Sequence, residues 1–81
     1  MTPETKLKRR RSDYVDTFSS PQGERVLADL HEFCGASKSS FGRNPYETAH
    51  NEGMRRVWLR IEAFLRMDDE RILRILKKAE E

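Results

Sequence analysis

Ser20-Pro21-Gln22-Gly23 and Asn44-Pro45-Tyr46-Glu47 are the two stretches that decide how this chain folds. Each sets a capping residue before a proline at the first helical position. There the missing N–H removes no bond and the fixed φ suits a helix. The first start leads into Val26-Leu27-Ala28-Asp29-Leu30 and closes at Phe33-Cys34-Gly35; the second leads through Glu52-Gly53-Met54-Arg55. Glu47 stands three residues after Asn44, in position to return a hydrogen bond to the cap backbone. Two helices joined by a polar loop are written locally.

Periodicity extends both. The first helix is expected over about 21–34, with Val26, Leu27, Leu30, Phe33 and Cys34 on one stripe and Gly35 as the left-handed residue that ends it. The second is expected over about 45–67, with Tyr46, Ala49, Gly53, Val57, Ile61, Phe64 and Leu65 on a shared face that Met54 and Trp58 widen. The pair should pack through Leu27, Leu30, Phe33, Val57, Ile61 and Phe64. Gly53 costs ~1 kcal/mol relative to alanine inside a helix, so close approach of the first helix is the expected reason for it. After an Asp68 cap, Ile72, Ile75, Leu76 and Ala79 recur at helical spacing. This third segment is either a separate helix or a bent continuation of the second.

Eighty-one residues allow one domain, near the size where a single core barely suffices. Charged residues, at 37%, slightly exceed hydrophobic ones, at 36%, so burial is limited and a partner or self-association would add stability. The single cysteine excludes an internal disulfide framework and fits a reducing compartment. No apolar run approaches the ~20 residues of a membrane span, so a soluble protein with no membrane partner is expected.

The net charge of +2 hides an uneven distribution. Lys6, Lys8, Arg9, Arg10 and Arg11 put five cations into six positions. Residues 1–17 lack a strong period and read as a flexible basic tail, although Leu7, Tyr14, Val15 and Phe18 could dock. The fold class is therefore all-α: a small helical hairpin or three-helix domain over 18–81, preceded by that tail. Phe41, alone in the small-residue loop 36–43, should tuck onto the core.

Candidate chemistry is thin. His31, Cys34 and His50 make a conceivable metal set, but zinc sites carry denser ligand pairs. Cys34 reads better as a small buried hydrophobe, and no metal or cofactor is expected. Gly23, Gly35, Gly42 and Gly53 match no phosphate-binding fingerprint. The chain is not expected to be an enzyme.

Nucleic-acid binding is the sharper alternative. Lys6 to Arg11 could follow phosphates, with Arg55, Arg56 and Arg60 on the second helix. Against it, Glu52 can pair with Arg55 and Arg56, and Glu62 with Arg66. The loop 36–43 is also longer than a helix-turn-helix turn. A separate signal comes from Ile72, Leu73, Ile75 and Leu76. Four branched aliphatics so close together exceed what one seam needs, and suggest a partner interface.

The order Phe18-Ser19-Ser20-Pro21-Gln22-Gly23, Val26-Leu27-Ala28-Asp29-Leu30, Phe33-Cys34-Gly35, then Ser40-Phe41, Asn44-Pro45, Thr48-Ala49 and Asn51-Glu52-Gly53 with Arg55, resembles a family of small tailed-bacteriophage proteins. The resemblance covers residues 18 to about 60. It implies a gene among those for virion structure and DNA packaging, and carries over no catalytic residue. The expectation is a virion- or assembly-associated module that binds a phage structural or packaging protein, or a second copy of itself. The alternatives are a nucleic-acid-binding accessory protein of phage development and a host-directed inhibitor. The setting would be the host cytoplasm during infection or the virion.

Overall fold

Three of the four helices begin with the same device. In the computed structural model, which describes residues 1–80, the order is α1 (Pro3–Phe18), α2 (Pro21–Phe33), α3 (Pro45–Arg66) and α4 (Asp69–Ala79). Thr2, Ser20 and Asn44 each precede a proline, and their side chains accept from the backbone N–H of Thr5, Gly23 and Glu47 at 3.1, 2.9 and 2.9 Å. Asp68 caps α4 by accepting from the Arg71 N–H at 2.7 Å. The segment after Met67 is thus a separate helix. Glu81, the last residue of the expected domain, lies outside the described residues.

Gly35 ends α2 as its sequence implies. Its φ is 65°, its N–H donates to the Glu32 carbonyl at 3.0 Å, and the Ala36 N–H reaches the His31 carbonyl at 3.1 Å. These two bonds form a Schellman motif. The cap of α3 is completed differently from expectation: the Glu47 carboxylate does not turn back to the Asn44 backbone but accepts from Arg43 Nε at 3.2 Å.

The expected flexible tail is helix α1, and it is the centre of the fold. The other three helices pack chiefly on it, and α2 and α3 touch where His31 meets Trp58. Leu7, Arg11, Tyr14 and Phe18, spaced four, three and four apart, form its half-buried face. Tyr14 stacks on Phe64 of α3 with ring centroids 4.7 Å apart and planes 19° apart. Arg11 breaks the apolar reading of that stripe. Its stem lies inward while its guanidinium meets Asp69 at 2.7 Å, tying α1 to the start of α4.

Because α2 and α3 each pack chiefly on α1, the seam expected between them is not the main one of the fold. Of the six residues assigned to their seam, Ile61 and Phe64 are buried and Leu27 and Leu30 are half-buried. Phe33 and Val57 stand 71% and 52% exposed. The close approach is at Gly23, not Gly53. A Cβ on Gly23 would lie 2.1 Å from the Thr17 carbonyl oxygen, whereas one on Gly53 would meet nothing within 4 Å. Phe41 leaves the core altogether, at 86% exposed. Its loop is held instead by main-chain and polar contacts, among them Gly42 N–H to Thr48 Oγ1 at 2.9 Å and Asn51 Nδ2 to the Ser40 carbonyl at 3.3 Å.

The core is small: Cys34, Ile61, Phe64 and Ile72, with Ile72 fully enclosed. The Cα envelope measures 44 × 38 × 18 Å, about two helices thick. The radius of gyration is 15.3 Å, against roughly 12 Å for a compact chain of this length.

Candidate functional site

The surface that remains open is the functional question, and its charges come first. The run from Lys6 to Arg11 is divided by the helix. Lys8 bridges Glu4 at 3.0 Å and Asp69 at 3.9 Å, and Arg11 is committed to Asp69. The hydrogen bond from Arg11, followed by the Lys8 charge, holds the Asp69 carboxyl below the usual aspartate value. Lys6, Arg9 and Arg10 are exposed and make no ion pair among the described residues.

The α3 arginines are dispersed. Arg60 places its guanidinium 5.3 Å from the Phe64 ring centroid, a cation–π contact that extends the Tyr14–Phe64 stack outward. Arg56 is exposed, and Arg55 lies half-buried. The expected pairing of Glu52 with Arg55 and Arg56 is not made, because Glu52 accepts from the Ser40 hydroxyl. Glu62 does pair with Arg66, at 3.2 Å, and also accepts from Trp58 Nε1 at 2.9 Å.

Arg55 lines a cavity of about 160 Å³ between the end of α2 and α3, with Phe33, Cys34, Lys38, His50 and Met54. That volume falls below the ~300 Å³ at which small-molecule pockets begin. His31 packs edge-on against Trp58, with centroids 4.8 Å apart. His31, Cys34 and His50 do not converge. Among the described residues, no group of three or more His, Cys, Asp or Glu side chains could hold a metal ion. No helix of the described residues is long and apolar enough to cross a membrane.

Two apolar faces remain open. On α4, Ile72 is fully buried and Leu76 half-buried, while Leu73 and Ile75 are 52% and 40% exposed. The four aliphatics therefore divide between core and solvent, and Arg71, Arg74 and Lys78 surround Ile75. On the first half of α3, Tyr46, Ala49, Gly53 and Val57 form an exposed stripe, while Phe33 of α2 borders a different face of the helix, beside His50, Met54 and Arg55. Sequence periodicity had placed this stripe in the core. The faces share a helical period with Phe64, and only the position of α1 decides which part is covered.

The sequence pattern of the Bbp19-like phage protein family matches residues 14–77. The chain belongs to that family. The match spans the core of this Bbp19-like protein, from Tyr14 through Ile61 and Phe64 to Ile72, and both open apolar faces. It starts within α1, beyond the cation run, so Lys6 to Arg11 lie outside the family's matched region. No curated protein and no solved structure matches the chain.

Proposed function

We propose that this Bbp19-like protein is a non-enzymatic interaction module of the phage virion or of its assembly, acting near the capsid, portal or packaging machinery. One observation carries the reading. The chain exposes 6584 Å², against about 5,100 Å² for a compact monomer of its mass. Large apolar side chains occupy part of that additional surface: Phe33, Tyr46, Val57, Leu73 and Ile75. Apolar area of this kind in a small charged protein suits docking on another macromolecule. The partner would be a phage structural or packaging protein.

Mass spectrometry of purified virions, paired with affinity capture by wild type and Leu73→Glu, tests the proposal. The expected result is a defined copy number in particles and loss of a specific phage protein from the variant's eluate. Absence from particles, with no phage protein captured, would overturn it.

A nucleic-acid-binding role is favoured by one feature, the exposed Lys6, Arg9 and Arg10 on α1, which make no ion pair among the described residues. Deleting this segment is a poor test, because α1 organises the fold. Replacing the three with glutamine keeps the helix. If they contact phosphates, the slope of log affinity against log salt should shrink by ~0.9 for each contact with duplex DNA. Electrophoretic mobility shifts over a salt series measure it, and an unchanged slope would remove these cations from any such role.

A further inference from the structure

We infer that the cavity between the end of α2 and α3 is a phosphate site for a single nucleic-acid strand, with Arg55 and Lys38 on the phosphate and the ring of Phe33 taking a base beside it. Lys6, Arg9 and Arg10 do not line it. The site goes beyond the interaction-module reading and does not depend on it.

Arg55 is the residue that asks for an anion. Two of the chain's arginines are half-buried, Arg11 and Arg55, and every other arginine is exposed to water. Arg11 has its carboxylate, Asp69, at 2.7 Å. Arg55 makes no ion pair among the described residues, and Glu52, three residues before it, is turned to the Ser40 hydroxyl. Drawing a guanidinium partly out of water costs free energy that a bound anion offsets.

The cavity supplies the other donors. Lys38, His50 and Arg55 line its 160 Å³ with Ser39, Ser40 and Asn51, and no carboxylate does. Of the acids on the adjoining turns, Glu52 is engaged by Ser40, and Glu32 lines the neighbouring hollow with Lys38 without pairing to it. Guanidinium, ammonium and hydroxyl donors around one compact space match the oxygens of a phosphate. The volume suits one such group, not a drug-sized molecule.

The cradle is also fixed in advance. The Lys38 N–H donates to the Gly35 carbonyl at 3.0 Å, just past the Schellman motif, and the Asn51 amide ties the Ser40 carbonyl to α3 at 3.3 Å. A loop already held in place loses little conformational entropy on binding.

Phe33 selects the kind of phosphate. Its exposed ring stands at the rim of the same cavity. Single strands are held by this combination, in which cations track the phosphates and aromatic rings stack on the bases. An acidic side chain would satisfy the cations but leave the ring open.

Titration of the full chain with inorganic phosphate and with a short oligothymidine, followed by amide NMR shifts, is the experiment. Both should shift residues 33–40 and 50–55 saturably, with the oligothymidine about tenfold tighter. Arg55→Gln and Lys38→Gln should each weaken both ligands about tenfold. Lys38 is exposed, so circular dichroism of that variant should match wild type. Phe33→Ala should weaken oligothymidine about tenfold and leave inorganic phosphate unchanged. Absence of saturable shifts, or shifts indifferent to both cation substitutions, would overturn the inference. So would phosphate binding with no gain for oligothymidine. Displacement of phosphate by poly-glutamate in preference to oligothymidine would give the cavity to an acidic protein segment and overturn it as well.

Discussion

Two glycines on helices show how differently one residue type can be used. Gly23 is buried in the first turn of α2, where its N–H satisfies Ser20 and its missing Cβ admits the end of α1. The groups it would strike are backbone: the Thr17 carbonyl oxygen at 2.1 Å and Phe18 Cα at 2.8 Å. Neither can rotate aside. Gly23→Ala should therefore destabilise by ~1–3 kcal/mol, the usual cost of overpacking. Gly53 lies in mid-helix with open space around it, so Gly53→Ala should stabilise the isolated chain by up to ~1 kcal/mol through helix propensity. Urea denaturation of dilute protein measures both, and shifts of the same sign would contradict this assignment of roles. Sequence alone pointed to the wrong glycine. It shows where a helix bears a propensity cost but not which backbone passes nearby.

At the scale of elements, α1 is the helix whose removal would undo the rest, and its link to α4 is ionic. Asp69 has its carboxyl pKa lowered by the Arg11 hydrogen bond and then by Lys8. A carboxylate with a depressed folded-state pKa stabilises above its unfolded value, ~3.9, and loses that contribution as pH falls through the folded value. The docking of α4 on α1 should accordingly loosen as acid takes pH below about 4. Arg11→Gln should remove part of this pH dependence. Hydrogen exchange of α4 amides between neutral and acidic pH is the measurement; protection that falls equally in both proteins would exclude the pair as the cause. The helices α2, α3 and α4 were legible from their caps, the Gly35 stop and their apolar spacing. Helix α1 was not, although Thr2-Pro3 repeats the start signal of Ser20-Pro21 and Asn44-Pro45. Arg11 sits in the middle of its inward stripe, and a charged residue there hides a face whose charge is met by Asp69, far away in sequence. The open surface was illegible for a related reason. Periodicity identifies an apolar face but not how much of it a neighbour covers, so Phe33 and Val57 read as core.

The whole molecule is thin for what it must stabilise. An unfolded chain of this mass exposes about 13,900 Å², so the 6584 Å² left on folding means that only about half is buried. Domains of sixty residues typically bury ~60% and are already marginal. Stability that the single chain lacks would have to come from association, and association writes itself into the melting curve. For a dimer that dissociates as it unfolds, each tenfold rise in concentration adds about 1.4 kcal/mol. With an unfolding entropy near 2.1 cal/mol/K per residue in both chains, Tm should climb roughly 4 °C per decade. Gly53→Leu should flatten that dependence while leaving the low-concentration Tm close to that of wild type, because a Cβ at this position meets nothing within 4 Å. Calorimetry or circular dichroism over two decades of concentration decides the matter. A wild-type Tm independent of concentration would mean that self-association through the open face of α3 contributes nothing to stability.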